Sequence, residues 1–196
     1  MRTSRLVIVG LLAALALSGC GDSTTPSAPD AGPDQDASAR NVQLNVTFAA
    51  PPGIAVTYDE ALVPVGARAG VTSKEDAGST TVMLDVSGLQ PDRQYGSHAH
   101  TMPCGADGQA AGPHFQHEQD PVSPSVDPAF ANAVNEIWLD FTTDPSGASM
   151  VTSTVPWTFT DDRRAKSVII HAMQTATEPG RAGDAGGRIA CISVDF

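Results

Sequence analysis

Apolar and polar residues begin to alternate strictly at Asn41. Val42, Leu44, Val46 and Phe48 are separated by Gln43, Asn45 and Thr47, the period of two that turns one face of a strand toward a core. Pro51-Pro52-Gly53 breaks the run. A second strand is expected within residues 54–65, less regular because Asp59 and Glu60 interrupt it. Residues 74–79 (KEDAGS) read as a turn, after which Val82, Leu84 and Val86 alternate with Met83 and Asp85. Gly88 to Arg93 is another turn. Ile137, Leu139 and Phe141 make one face, closed by Asp144-Pro145-Ser146-Gly147, and Val151, Val155, Trp157 and Phe159 keep the same period. The final strands are Ser167 to His171 and Arg188 to Val194. Eighteen glycines and 15 prolines disfavour long helices. Short strands with turn chemistry between them predict an all-β sandwich or barrel.

Ahead of Asn41 the pattern is different. Leu6 to Leu17 is apolar and too short to span a bilayer, and Arg2 and Arg5 precede it. Residues 1–19 therefore read as a signal peptide. Its ending, Leu17-Ser18-Gly19-Cys20, resembles a bacterial lipobox, in which Cys20 is lipidated and begins the mature protein. The alternative is a plain secretory signal with an incidental cysteine. Gly21 to Arg40 contains no Val, Ile, Leu, Met, Phe, Trp or Tyr, so it cannot bury enough apolar surface to offset its ordering entropy. Residues 20–40 are expected to form a disordered tether and residues 41–196 one domain. The expected location is the bacterial cell envelope, outside the cytoplasmic membrane on its periplasmic or extracellular face, with acyl chains on Cys20 making the attachment.

The formal charge is −11, and removal of Arg2 and Arg5 makes it more negative. Such a chain does not bind nucleic acid nonspecifically. It is not attracted as a whole to an anionic substrate either.

The richest chemistry lies in residues 96–115, GSHAHTMPCGADGQAAGPHF. The five histidines are His98, His100, His114, His117 and His171, and none lies in the first 97 residues. At spacing i, i+2 on a strand, His98 and His100 point to the same side. Imidazole nitrogens suit copper and zinc.

Four separated motifs then resemble the copper/zinc superoxide dismutases. They are Val86-Ser87-Gly88-Leu89-Gln90-Pro91 leading into Tyr95-Gly96-Ser97-His98-Ala99-His100; Ala111-Gly112-Pro113-His114-Phe115; Ser167-Val168-Ile169-Ile170-His171; and Gly183-Asp184-Ala185-Gly186-Gly187-Arg188-Ile189-Ala190-Cys191. The resemblance covers roughly residues 41 to 196. It implies an eight-stranded Greek-key β-barrel with a metal held on its outside. It implies copper bound by His98, His100, His114 and His171, the conversion of superoxide to oxygen and hydrogen peroxide, and Arg188 as the anion clamp beside the metal. Three cysteines in an exported chain leave one over. With Cys20 lipidated, Cys104 and Cys191 remain, and the matching family cysteines form a disulfide.

The chain departs from the family at zinc. Zinc-binding members carry two further histidines and an aspartate after the residue matching His114. Here only His117 follows, with Glu118, Asp120, Asp127 and Glu136. His117 comes too soon to match either histidine, and Asn135-Glu136 falls near the place of the last histidine and aspartate. The expectation is copper without zinc, as in the copper-only branch, with His114 a plain copper ligand that can release the metal and take a proton. The segment from Ala172 to Gly187 is short for the family's charged guiding loop. Arg163, Arg164 and Lys166 are expected to form a solvated turn. The competing reading is a non-enzymatic copper-binding lipoprotein that buffers or delivers the metal; Arg188 speaks against it, since storage needs no anion clamp. Oligomeric state is not legible.

Overall fold

The computed structural model describes residues 41–196. The expected signal peptide, the lipidation at Cys20 and the tether lie outside the described residues. Nine strands follow one another: β1 (Val42–Thr47), β2 (Ala55–Thr57), β3 (Arg68–Asp76), β4 (Ser79–Ser87), β5 (Gln94–His100), β6 (Phe141–Thr142), β7 (Ser149–Val155), β8 (Ser167–His171) and β9 (Arg188–Ser193). They form a four-stranded sheet, β1-β3-β4-β7, and a five-stranded sheet, β2-β9-β8-β5-β6. Every strand pairing is antiparallel. The architecture is the expected all-β sandwich. The expected eight strands become nine in two sheets, because β2 and β6 are short edge pieces of three and two residues.

Register explains the core. Leu44 faces Val71, Val71 faces Leu84, and Leu84 faces Val151, one apolar row across the first sheet. The second sheet answers with Tyr95 and Ala99 from β5, Val168 and Ile170 from β8, and Ile192 from β9. Full burial of such a Val, Leu or Ile side chain is worth roughly 1.5–3 kcal/mol.

Four local readings change. The strand at Arg68–Asp76 is not legible as alternation, since its buried positions include Ala69, Ser73 and Glu75. The turn expected over 74–79 shrinks to Ala77-Gly78 between β3 and β4. Trp157 and Phe159 are buried as the period suggests but lie past the end of β7. The basic cluster is not a solvated turn. Arg164 is buried, ion-paired with Glu75, hydrogen-bonded to the Phe196 carbonyl, and stacked over Phe159. A guanidinium without such partners could not be buried at this position. Arg163 lies over the Phe115 ring and donates to the Gln116 carbonyl at 2.5 Å.

Alternation in the second sheet also positions the chemistry. Tyr95 and Ala99 of β5 face the core, so Gly96, His98 and His100 face outward. Gly96 pairs with His171 on β8, and His171 pairs in turn with Arg188 on β9 across a register shift. Two long connections, 101–140 and 172–187, return to this outer surface.

Candidate metal centre

The outer face of β5 and β8 brings four imidazoles together. His98 and His100 come from β5 and His171 from the end of β8. His114 arrives on the first connection, held against β5 by the bridge His100↔His114 and by Thr101 N–H to the Pro113 carbonyl at 3.1 Å. One nitrogen of each ring lies within 4.8 Å of the others. His98, His100 and His171 are buried, and the His114 side chain is 17% exposed.

Each ring is anchored at its outer nitrogen, which determines where its proton sits. The His100 Nδ1–H donates to the Gly112 carbonyl at 2.9 Å, and the His171 Nδ1–H to the Gly186 carbonyl at 3.3 Å. A carbonyl only accepts, so both rings keep a lone pair on Nε2. The His114 Nδ1–H donates to Glu136 Oε2 at 2.7 Å, leaving Nε2 as its ligating nitrogen. His98 is reversed: Nε2 meets Thr175 Oγ1 at 2.7 Å, and Nδ1 faces inward. His98 Nδ1, His100 Nε2 and His171 Nε2 are all buried with no hydrogen-bond partner among the described residues. Three orphaned lone pairs at one point would be costly unless something fills the space between them. A metal ion that accepts nitrogen donors fits that space, and copper and zinc are the ions this donor set suits.

The electrostatics agree. Burial, followed by repulsion from the neighbouring imidazoles, holds His98 and His100 well below the usual histidine range. Burial lowers His171 to about 3. The three rings are neutral at physiological pH, the form that ligates a metal.

A carboxylate lies behind His114. Glu136 is fully buried. Besides the His114 proton it accepts the Trp138 Nε1–H at 2.7 Å and the Gln116 amide at 2.8 Å. The outer nitrogen of His114 is thereby engaged. His117 takes no part, since its ring stacks on Trp157 with centroids 5.0 Å apart. Among the described residues the four histidines form the one cluster of His, Cys, Asp and Glu with metal-site geometry. The sequence marked Glu136 by position alone. Thr175, in contact with His98 Nε2, and Asp140, which accepts from Thr175, carry no motif by which the sequence could mark them.

Arg188 lies beside this cluster and is half-buried. Burial lowers its pKa below the ordinary arginine value, yet a guanidinium stays charged. It donates to the Gly108 carbonyl at 2.9 Å. The approach is possible because residue 108 is glycine: a Cβ there would lie 2.5 Å from the Arg188 Cβ. Arg188, His114, Thr101 and Asp184 share a cleft of about 620 Å³. Arg181, across the cleft, pairs with Glu178 at 3.5 Å and Asp184 at 3.8 Å. Arg188 forms no ion pair among the described residues, so its charge is available to an entering anion. Cys104 is bonded to Cys191, which ties the connection carrying Gly108 and His114 to β9, the strand of Arg188.

Comparison with known proteins bears on this arrangement. In structure the chain is similar to the Cu/Zn superoxide dismutase from Brucella abortus, with a TM-score of 0.54 and 18% identity over 79% of this chain and 100% of that one. It is also similar to a SOD-like protein from Bacillus subtilis, with a TM-score of 0.50 and 17% identity over 65% of this chain and 89% of that one. At such identities the likeness speaks for the fold alone. Sequence carries the rest: residues 66–194 match the family model for copper/zinc superoxide dismutase (SODC), a span that includes all four converging histidines, both bonded cysteines and Arg188, and the chain belongs to that family.

Proposed function

We propose that this protein is a copper-dependent superoxide dismutase, anchored outside the cytoplasmic membrane through lipid on Cys20. The observation that carries the enzymatic reading is the inward convergence of His98 Nδ1, His100 Nε2, His114 Nε2 and His171 Nε2, each ring held from outside by an acceptor. Copper, when bound by these four residues, supplies a one-electron couple that can accept an electron from one superoxide and return it to another.

The chain's own residues do the remainder. Arg188 captures the anion by charge and by its forked donors. Its hydrogen bond to Gly108 fixes the guanidinium at the cleft wall, so little reorganisation is needed on capture. His114 borders the same cleft, and with Nδ1–H committed to Glu136 its one remaining lone pair, on Nε2, would either hold copper or, when not engaged by it, take up a proton for delivery to departing peroxide. The other three rings are buried, and their outer nitrogens are held by Thr175, Gly112 and Gly186 on the two connections. Glu136 supports a copper-only centre, because it holds His114 Nδ1 where a second metal would otherwise be needed to orient the ring.

The test combines metal analysis with turnover. Protein loaded with both metals should retain about one copper and no stoichiometric zinc, and should dismutate superoxide faster than free copper does. Arg188→Ala should keep the copper and lose rate, by about 1–3 kcal/mol in the barrier if a charge-assisted hydrogen bond is lost. A full equivalent of zinc beside the copper would overturn the copper-only reading. Copper binding without catalysis would transfer the protein to the copper-carrier class.

A further inference from the structure

We infer that Thr175 is a positioning residue of the metal centre, its hydroxyl acting as a one-way relay from Asp140 that sets the tautomer of His98. The inference rests on the reading of the four histidines as metal ligands and adds a residue that acts through one of them.

The connection 172–187 closes on itself through Met173 N–H to the Ala185 carbonyl at 2.9 Å, Ala176 N–H to the Asp184 carbonyl at 2.8 Å, and Gly183 N–H to the Ala176 carbonyl at 2.9 Å. The resulting ribbon docks on β5 at Gly96. A Cβ on residue 96 would lie 2.6 Å from both the Ala185 Cβ and the Met173 carbonyl oxygen, and 3.0 Å from Thr175 Oγ1. The missing side chain is therefore what lets Thr175 come down beside His98, two residues along the same face of the strand.

Once there, Thr175 is held at two points by one carboxylate. Its N–H donates to Asp140 Oδ2 at 3.0 Å and its hydroxyl to Asp140 Oδ1 at 2.7 Å. Asp140 is itself fixed to β5 by the Ser97 N–H at 3.1 Å. His98 Nε2 lies 3.7 Å from Asp140 Oδ1, beyond hydrogen-bond length, whereas Thr175 Oγ1 is at 2.7 Å. The carboxylate reaches the imidazole only through the hydroxyl.

Counting protons gives the consequence. A hydroxyl has one proton and two lone pairs. Thr175 gives its proton to Asp140, so toward His98 it can only accept. His98 must then carry its proton on Nε2, which leaves a lone pair on Nδ1, the buried and unpartnered nitrogen that faces the other ligands. The other three rings need no such device, since carbonyls and a carboxylate accept by nature. A hydroxyl could play either part, and Asp140 decides which.

The experiment uses the full chain and two readouts. In the metal-free protein at neutral pH, long-range nitrogen–proton NMR reports the tautomer of His98. In competition with a chelator, Cu(II) titration reports affinity. Wild type should show the Nε2–H form alone. Thr175→Val removes the acceptor, so both tautomers should appear and copper affinity should fall roughly 10–100-fold, the usual effect of losing a partner that orients a ligand. Thr175→Ala should behave alike and asks for no extra space if the valine variant folds badly. Thr175→Ser should restore both the single tautomer and the affinity. Thr177→Val, at an exposed position on the same loop, should change neither. A single Nε2–H tautomer in Thr175→Ala, or copper affinity within twofold of wild type, would overturn the relay, as would a failure of serine to rescue. Should wild type bind no copper while the tautomer shifts as described, the metal reading fails and the relay stands.

Discussion

Acidifying the metal-free protein from pH 7 to pH 5 should destabilise it through His171. The group is buried and its folded-state pKa is about 3, against 6.5 for an unperturbed imidazole. Between those values the unfolded chain binds a proton that the native state refuses, so stability is fully present above about pH 6.5 and falls as the pH drops toward 3. The whole gap is worth on the order of 5 kcal/mol, of which about 2 kcal/mol is lost by pH 5. His98 and His100 are also lowered by burial and act in the same sense. The interval from 7 to 5 lies above the range where carboxylates titrate, so imidazoles dominate the slope. For a domain of this size each kcal/mol moves Tm by roughly 2–4 °C, giving a fall of about 4–8 °C from His171 alone. The assay is thermal unfolding of chelator-treated full chain at both pH values, beside His171→Gln. The variant should keep the slope due to the other two histidines and lose the His171 share. Equal falls in Tm for wild type and His171→Gln, or no fall in wild type, would refute the argument.

Other perturbations test other parts of the molecule. Arg164→Leu should cost about 3–5 kcal/mol in urea unfolding, because it leaves Glu75 buried without its partner, and adding Glu75→Gln should recover part of that loss; a single-variant cost below about 1 kcal/mol would show that water reaches the pair. Reducing the Cys104–Cys191 bond, which spans 87 residues, should lower the unfolding free energy by roughly 2–4 kcal/mol, and free-thiol titration of the unfolded, unreduced chain should find neither cysteine reactive. Cys20→Ala should abolish acyl labelling and shift the protein from membrane to soluble fractions; unchanged fractionation would remove the lipid anchor.

The strands that could be read from sequence were those whose buried positions are large and apolar. β4 is the clear case, with Val82, Leu84 and Val86 inward. β3 escaped because its inward residues include Ala69, Ser73 and Glu75, and an inward glutamate makes sense only beside Arg164, 89 residues away. The same long-range pairing turned an expected solvated arginine into a buried one. At the centre, the four histidines were legible since each sits in a motif. Glu136 was legible only as a position, Thr175 and Asp140 not at all.

By itself, the sequence determined that His98 and His100 share a face, because alternation along a strand is local geometry that needs no distant partner. It also determined the residue types of the site, four histidines carried by motifs. Only the tertiary structure decided which nitrogen of each ring looks inward. That choice belongs to Gly112, Gly186, Glu136 and Thr175, all supplied by connections that leave the sheet and return to it. An imidazole has two nearly equivalent nitrogens, and the one that is free to bind a metal is determined by what the other is given to hold.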